Sequence, residues 1–273
     1  MTPPSRRPRM SLRGAILIGA AVLVTAASIG FGMLRTHAPD PVALGASSGA
    51  TSAEAPAPLV LPEHPRILVF GDSWTYGSAA TPPTDGYAYR LADLMHGTTI
   101  VDGVRGSGYL KPGLDGPAYG PRIDRLDPAL RPDLVVIEGS INDRRLPAAG
   151  YRAAVDAAWN RLADIYPDAG IVVLGPAPQV LPVEQATARI DRDLQQLAAQ
   201  RGWWYISPVQ QKWITPQNYA GLIDTGIGRD HPSNAGHRYL AEKVAAALKE
   251  MAGAPVTVAV EPAETVQPVA PGK

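Results

Sequence analysis

Four short polar segments hold residue types that could work together: a hydroxyl nucleophile, backbone N–H groups open to a ligand, an amide donor and a base. Gly71-Asp72-Ser73-Trp74 sets a serine beside a glycine that permits a tight turn. A serine hydroxyl becomes a useful nucleophile only when a base removes its proton. Asp102-Gly103-Val104-Arg105-Gly106-Ser107-Gly108-Tyr109 is rich in glycine, so backbone N–H groups can approach a ligand closely there. Glu138-Gly139-Ser140-Ile141-Asn142-Asp143 offers an asparagine whose amide N–H can be aimed at an oxyanion. Asp230-His231-Pro232-Ser233-Asn234 supplies a base: the proline disfavours helix at His231, and Ser233 or Asn234 can then cap the helix that follows. Each segment has a plainer reading when taken alone. Asp72 or Ser73 would serve as a helix N-cap, the glycines as an ordinary turn, and Asn142-Asp143 as turn chemistry. His237 falls inside the last helical stretch and reads as structural.

The elements that must position these groups are written in the hydrophobic pattern. Apolar runs at 67–70, 98–101, 134–137, 171–174 and 203–206 are short and continuous, as in strands buried on both faces of a parallel sheet. Amphipathic stretches at 87–95, 151–166, 183–200 and 235–251 alternate with them. Such alternation implies right-handed strand–helix–strand units, and hence a three-layer α/β/α sandwich around a central, mostly parallel five-stranded sheet. Ligands in such sheets bind at the carboxyl ends of the strands. The first three polar segments follow the first three apolar runs directly, and the histidine precedes the last helix.

Taken together, Gly71-Asp72-Ser73, the glycine turn, Gly-x-x-Asn-Asp and a late His-Pro before a helix resemble the four blocks of SGNH (GDSL-type) hydrolases, in the family's order across nearly the whole 66–253 region. The resemblance implies a flavodoxin-like α/β/α fold and hydrolysis of acyl esters, of lipid or acetylated-carbohydrate type, with no metal or organic cofactor. It implies Ser73 as nucleophile, with His231 as base. The oxyanion hole would be formed by the Ser73 N–H, the Gly106 N–H and the Asn142 side chain, Gly106 being chosen over Gly103 and Gly108 on block spacing. Two positions depart from the pattern. Trp74 replaces the usual leucine, and Gly228 stands three residues before His231, where the family has its triad aspartate. Asp230 is then preferred as the acid, with Asp224 or a backbone carbonyl as alternatives. An acyltransferase acting on an envelope glycan would use the same residues, and a non-catalytic binding module on the same fold is the reading that Gly228 favours. Tyr109 and Trp74 are the candidates for an acyl pocket, whereas Trp203, Trp204 and Trp213 are read as core.

Composition narrows the partners. Lysine plus arginine and aspartate plus glutamate number 25 each, so no excess of positive charge invites a nucleic acid. Cysteine is absent, which excludes disulfides, zinc–thiolate sites and a thiol nucleophile. Residues 1–35 read as a signal anchor. Arg6, Arg7, Arg9 and Arg13 precede an uncharged apolar run at 15–34, close to the roughly 20 residues that span a bilayer. The arginines favour a cytoplasmic N-terminus. A cleaved signal peptide is the alternative, although its apolar region is usually about 7–15 residues. Either way the catalytic domain at 66–253 is expected outside the cytoplasm, facing a small-molecule, glycan or lipid ester. Residues 36–65 and 254–273, rich in Pro and Ala, are expected to be a disordered linker and tail.

Overall fold

In a computed structural model of the protein, which describes residues 56–253, each apolar run becomes a strand: β1 (Arg66–Gly71), β2 (Thr98–Gly103), β3 (Leu134–Glu138), β4 (Gly170–Leu174) and β5 (Trp204–Ile206). All neighbours pair in parallel, in the order β2-β1-β3-β4-β5. Parallel neighbours need crossover connections. The helices are α1 (Ser73–Tyr76), α2 (Tyr87–Leu94), α3 (Tyr119–Ile123), α4 (Tyr151–Ile165), α5 (Gln185–Gln200), α6 (Tyr219–Leu222) and α7 (Asn234–Met251).

The alternation of strand side chains builds two cores. Ile67, Val69, Leu134 and Val136 point to the face covered by α2 and α7, where Leu91, Leu240, Val244 and Leu248 pack on them. Leu68, Phe70, Val135 and Ile137 point to the other face, against Trp159 and Leu162 of α4 and Leu194 of α5. With both faces covered, no position in a central strand can be polar without a partner, which is why the runs read as unbroken apolar stretches. The three-layer α/β/α architecture expected from the sequence is the one observed, and the main sheet is parallel throughout.

The domain begins earlier than the expected boundary at residue 66. Leu59 is only 7% exposed and packs in the core, with its N–H donating to Met251 O at 2.9 Å. Trp204 Nε1 donates to Ala57 O at 2.9 Å, and Thr98 N–H donates to Pro65 O at 2.9 Å. Residues 56–65 are therefore part of the domain and not of a linker. Their leucines close the end of the core, a fact that a Pro- and Ala-rich composition conceals. The expected anchor at 1–35, the remainder of the linker at 36–55 and the tail at 254–273 lie outside the described residues. Among the described residues no helix is long and apolar enough to cross a membrane.

The element that matters most to the site was not expected. Ile223–Asp224 (β6) and His231–Pro232 (β7) form a two-stranded antiparallel ladder in which Asp224 is opposite His231. The loop it closes carries the late histidine.

Candidate active site

Ser73 is the first residue of α1, directly beyond the carboxyl end of β1. Asp72 is the N-cap of that helix and accepts a hydrogen bond from Trp74 N–H at 3.0 Å. Capping and presentation of the hydroxyl are thus divided between neighbours: the aspartate caps, and the serine is left free to react. Ser73 Oγ lies 2.8 Å from His231 Nε2, across 158 residues of sequence. Ser73 Oγ also lies 3.5 Å from Asp72 Oδ1, at the long limit of a hydrogen bond.

His231 Nδ1 faces two acceptors, Gly228 O at 2.7 Å and Arg229 O at 3.0 Å. Both are carbonyls, so Nδ1 carries the proton and Nε2 presents a lone pair to the serine hydroxyl. The expectation of Asp230 as the orienting acid is corrected: among the described residues, the ring has no hydrogen bond to a carboxylate. Arg229 and Asp230 adopt φ of +51° and +61°, a tight turn in which the backbone, and not the Asp230 side chain, meets the ring. Asp224 does not fill that role either, since its Oδ1 accepts from Gly226 N–H at 2.9 Å. It does explain the glycine at 228. A Cβ there would come within 2.6 Å of Asp224 Cβ and 2.8 Å of Ala79 Cβ, so no aspartate fits at that position.

The proposed oxyanion donors gather from three strand ends. The Ser73 N–H, in the first turn of a helix, has no intrahelical acceptor. The Gly106 N–H has no hydrogen-bond partner among the described residues. Asn142 stands apart from these two: its Nδ2 donates to Asp72 Oδ2 and to Ser107 O, both at 3.0 Å. In the free protein its amide ties the serine segment to the glycine loop.

Three groups that the residue reading did not single out hold this arrangement. Asp143 accepts from the N–H groups of Tyr109, Leu110 and Lys111 at 2.7, 3.2 and 3.0 Å, nesting the glycine loop on its carboxylate. Glu138 is buried at the end of β3 and accepts from Asp72 N–H and Thr75 Oγ1–H, each at 3.1 Å. Burial, and then the charge of Asp72, raise its carboxyl well above the usual carboxylate range, and burial raises that of Asp72 as well. Arg122, on α3, joins the ends of β1 and β2 to Ser107. A charge at the tip of an otherwise apolar strand was the available signal for Glu138. Asp143 was visible only as half of a turn-like Asn-Asp pair.

The remaining candidates are structural. His237 is fully buried: its Nδ1 accepts from Tyr87 N–H at 3.2 Å and its Nε2–H donates to Ser78 O at 3.0 Å. Burial depresses its pKa to about 4, which keeps it neutral. Trp74 and Tyr109, expected near an acyl pocket, are instead core residues on opposite faces of the sheet, 3% and 5% exposed. Tyr109 Oη accepts from Trp159 Nε1–H at 2.6 Å. Among the described residues no group of three or more His, Cys, Asp or Glu side chains gathers to hold a metal ion.

Comparison with known proteins gives the family and the fold. The profile of the GDSL-like lipase/acylhydrolase family matches residues 69–239. A GDSL lipase of Mycobacterium tuberculosis is 28% identical over 193 residues, covering 66% of this chain and 79% of the lipase. Among solved structures, a carbohydrate acetylesterase family member from Sinorhizobium meliloti superposes with a TM-score of 0.52 at 16% identity, over 69% of this chain and 99% of that one. A family two carbohydrate esterase from Clostridium thermocellum gives a TM-score of 0.52 at 22% identity, over 71% of this chain and 66% of that one.

Proposed function

This chain belongs to the GDSL-like lipase/acylhydrolase family and is a carboxylic ester hydrolase, and we propose that it works through an acyl-enzyme on Ser73 with His231 as general base. The observation that carries the reading is the 2.8 Å contact between Ser73 Oγ and His231 Nε2. His231 takes the hydroxyl proton as Oγ attacks the ester carbonyl. The resulting oxyanion is received by the N–H groups of Ser73 and Gly106, and by the Asn142 amide as it turns from the Ser107 carbonyl. His231 then gives its proton to the leaving alkoxide, the ester C–O bond breaks, and the acyl group stays on Ser73. Water, deprotonated by the same ring, attacks the acyl carbonyl; the acid leaves and Oγ recovers its proton. The imidazolium formed in each half is stabilised by the carbonyl dipoles at 228 and 229 in place of a carboxylate.

The substrate we favour is an acyl ester with an apolar portion. Leu114 and Ile227, 79% and 98% exposed, stand on the two loops that bear Gly106 and His231. The mycobacterial relative is named a lipase, and the acetylesterase likeness keeps acetylated carbohydrate as the second substrate type. The test is hydrolysis of p-nitrophenyl acetate, butyrate and octanoate, together with labelling by a fluorophosphonate. Ser73→Ala is expected to retain the fold, lose labelling and drop turnover by at least about a thousandfold. Labelling that persists in that variant would remove Ser73 from the reaction, and a marked preference for acetate would shift the substrate toward acetylated glycans. We also propose that residues 15–34 anchor the enzyme in a membrane with the domain outside the cytoplasm. The full chain should then fractionate with membranes and be released by detergent but not by high salt.

A further inference from the structure

Arg122 lies on the short α3, outside the four polar segments, and is 6% exposed. Its guanidinium reaches three residues, Gly71, Asp102 and Ser107, in two strand-end segments at once. Nη1 donates to Gly71 O and to Ser107 Oγ, both at 2.9 Å. Nη2 donates to Asp102 O and to Asp102 Oδ1, both at 2.7 Å. The plane is held from the side by the Phe70 ring, whose centroid is 4.1 Å from Cζ, and by Tyr119 at 5.3 Å. The four hydrogen bonds on Nη1 and Nη2 offset the cost of burying the cation, while Nε is buried without a partner among the described residues. A planar fork aimed at several acceptors is a geometry that lysine cannot copy.

What the fork joins gives it a role. Gly71 is two residues before Ser73, and Ser107 follows Gly106, so Nη1 bridges the two backbone segments whose N–H groups face the developing oxyanion. Ser107 is itself a node: its hydroxyl donates to Val104 O at 2.7 Å while its carbonyl accepts from Asn142 Nδ2 at 3.0 Å. We propose that Arg122 is a positioning residue for ester hydrolysis, fixing the spacing between the Ser73 and Gly106 oxyanion donors by gripping Gly71 and Ser107 with one nitrogen. This rests on the acyl-enzyme reading. Preorganised donors act on the transition state and not on the ground state, so a loss of spacing should appear in turnover and leave substrate binding nearly untouched.

The experiment compares wild type with Arg122→Lys, Arg122→Met and Ser107→Ala, the last removing a single acceptor from the fork. Thermal denaturation reports the folded fraction. The kcat and KM for p-nitrophenyl butyrate, the fluorophosphonate labelling rate and the pH profile of kcat are then measured well below each Tm. Arg122→Lys is expected to stay folded, with kcat lowered on the order of a hundredfold, KM nearly constant, labelling slowed in parallel and the pH profile unmoved because the Ser73–His231 pair is intact. Ser107→Ala should show the same pattern more weakly, and it decides the matter if the arginine variants do not fold. Folded variants with wild-type kcat, or with a raised KM alone, would overturn the proposal. Wild-type enzyme that never labels would instead sink the Ser73 reading, which keeps the two failures distinct.

Discussion

At the scale of single residues, the distinguishing feature is how His231 is oriented. A carboxylate on Nδ1 would both hold the tautomer and neutralise the imidazolium. Two peptide carbonyls, at 2.7 and 3.0 Å, hold the tautomer here but bring only partial charge. Asp230 follows His231's partners in the turn and does not touch the ring, so its carboxylate is dispensable to the geometry. Asp230→Asn is accordingly expected to keep kcat within about threefold of wild type, far from the roughly ten-thousandfold loss on replacing a contacting triad aspartate. A steady-state comparison at neutral pH checks this, and a loss near the larger figure would restore Asp230 as the acid. Glu138 and Asp72 show the opposite arrangement: two buried acids lie side by side at the strand ends, with the Asp72 N–H donating to Glu138 and the Asp72 carboxylate accepting from the Trp74 N–H and the Asn142 amide.

At the scale of elements, the glycine loop after β2 has no regular structure of its own and is held from outside. Asp143 gathers three consecutive N–H groups at 109–111, and a Cβ at Gly108 would meet its Oδ2 at 2.5 Å, which accounts for the glycine at that position. Replacing the carboxylate by an amide turns one acceptor into a donor that faces N–H groups. Asp143→Asn should therefore cost about 1–3 kcal/mol in stability, the cost of an unsatisfied buried polar group. It should also lower kcat, since Gly106 moves with the loop. Chemical denaturation and steady-state kinetics on the same preparation read both effects. Unchanged stability would mean that the loop is held by other contacts.

At the scale of the whole molecule, the domain closes on a segment that precedes its first strand. Leu59 plugs the end of the core beside Gly170, where a Cβ would come within 2.6 Å of Leu59 Cδ1. Its backbone also bonds to the last residue of α7. Leu59→Ala is expected to destabilise the domain by about 2–4 kcal/mol through lost burial and the cavity left behind. Denaturant unfolding measures this, and a change below about 0.5 kcal/mol would return residues 56–65 to the status of a linker.

The hydrophobic pattern alone determined the five strands, the four long helices and the three layers, because strands covered on both faces and helices covered on one leave different periodicities in a chain. It also brought Ser73, Asn142 and His231 to notice, since each lies close to the end of a strand or helix visible in that pattern, whereas Gly106 was singled out from its glycine-rich segment by the family resemblance. Tertiary structure decided the rest. The β6–β7 ladder has two residues per strand, too few to leave a period, yet it carries His231 to within hydrogen-bonding distance of Ser73. The partner of Nδ1 is a pair of carbonyls, and a carbonyl belongs to every residue alike, so no choice of side chain announces it. Asp143, Glu138 and Arg122 act through contacts spanning 32 to 66 residues of chain or more than one segment at a time, and only the folded chain brings those segments together.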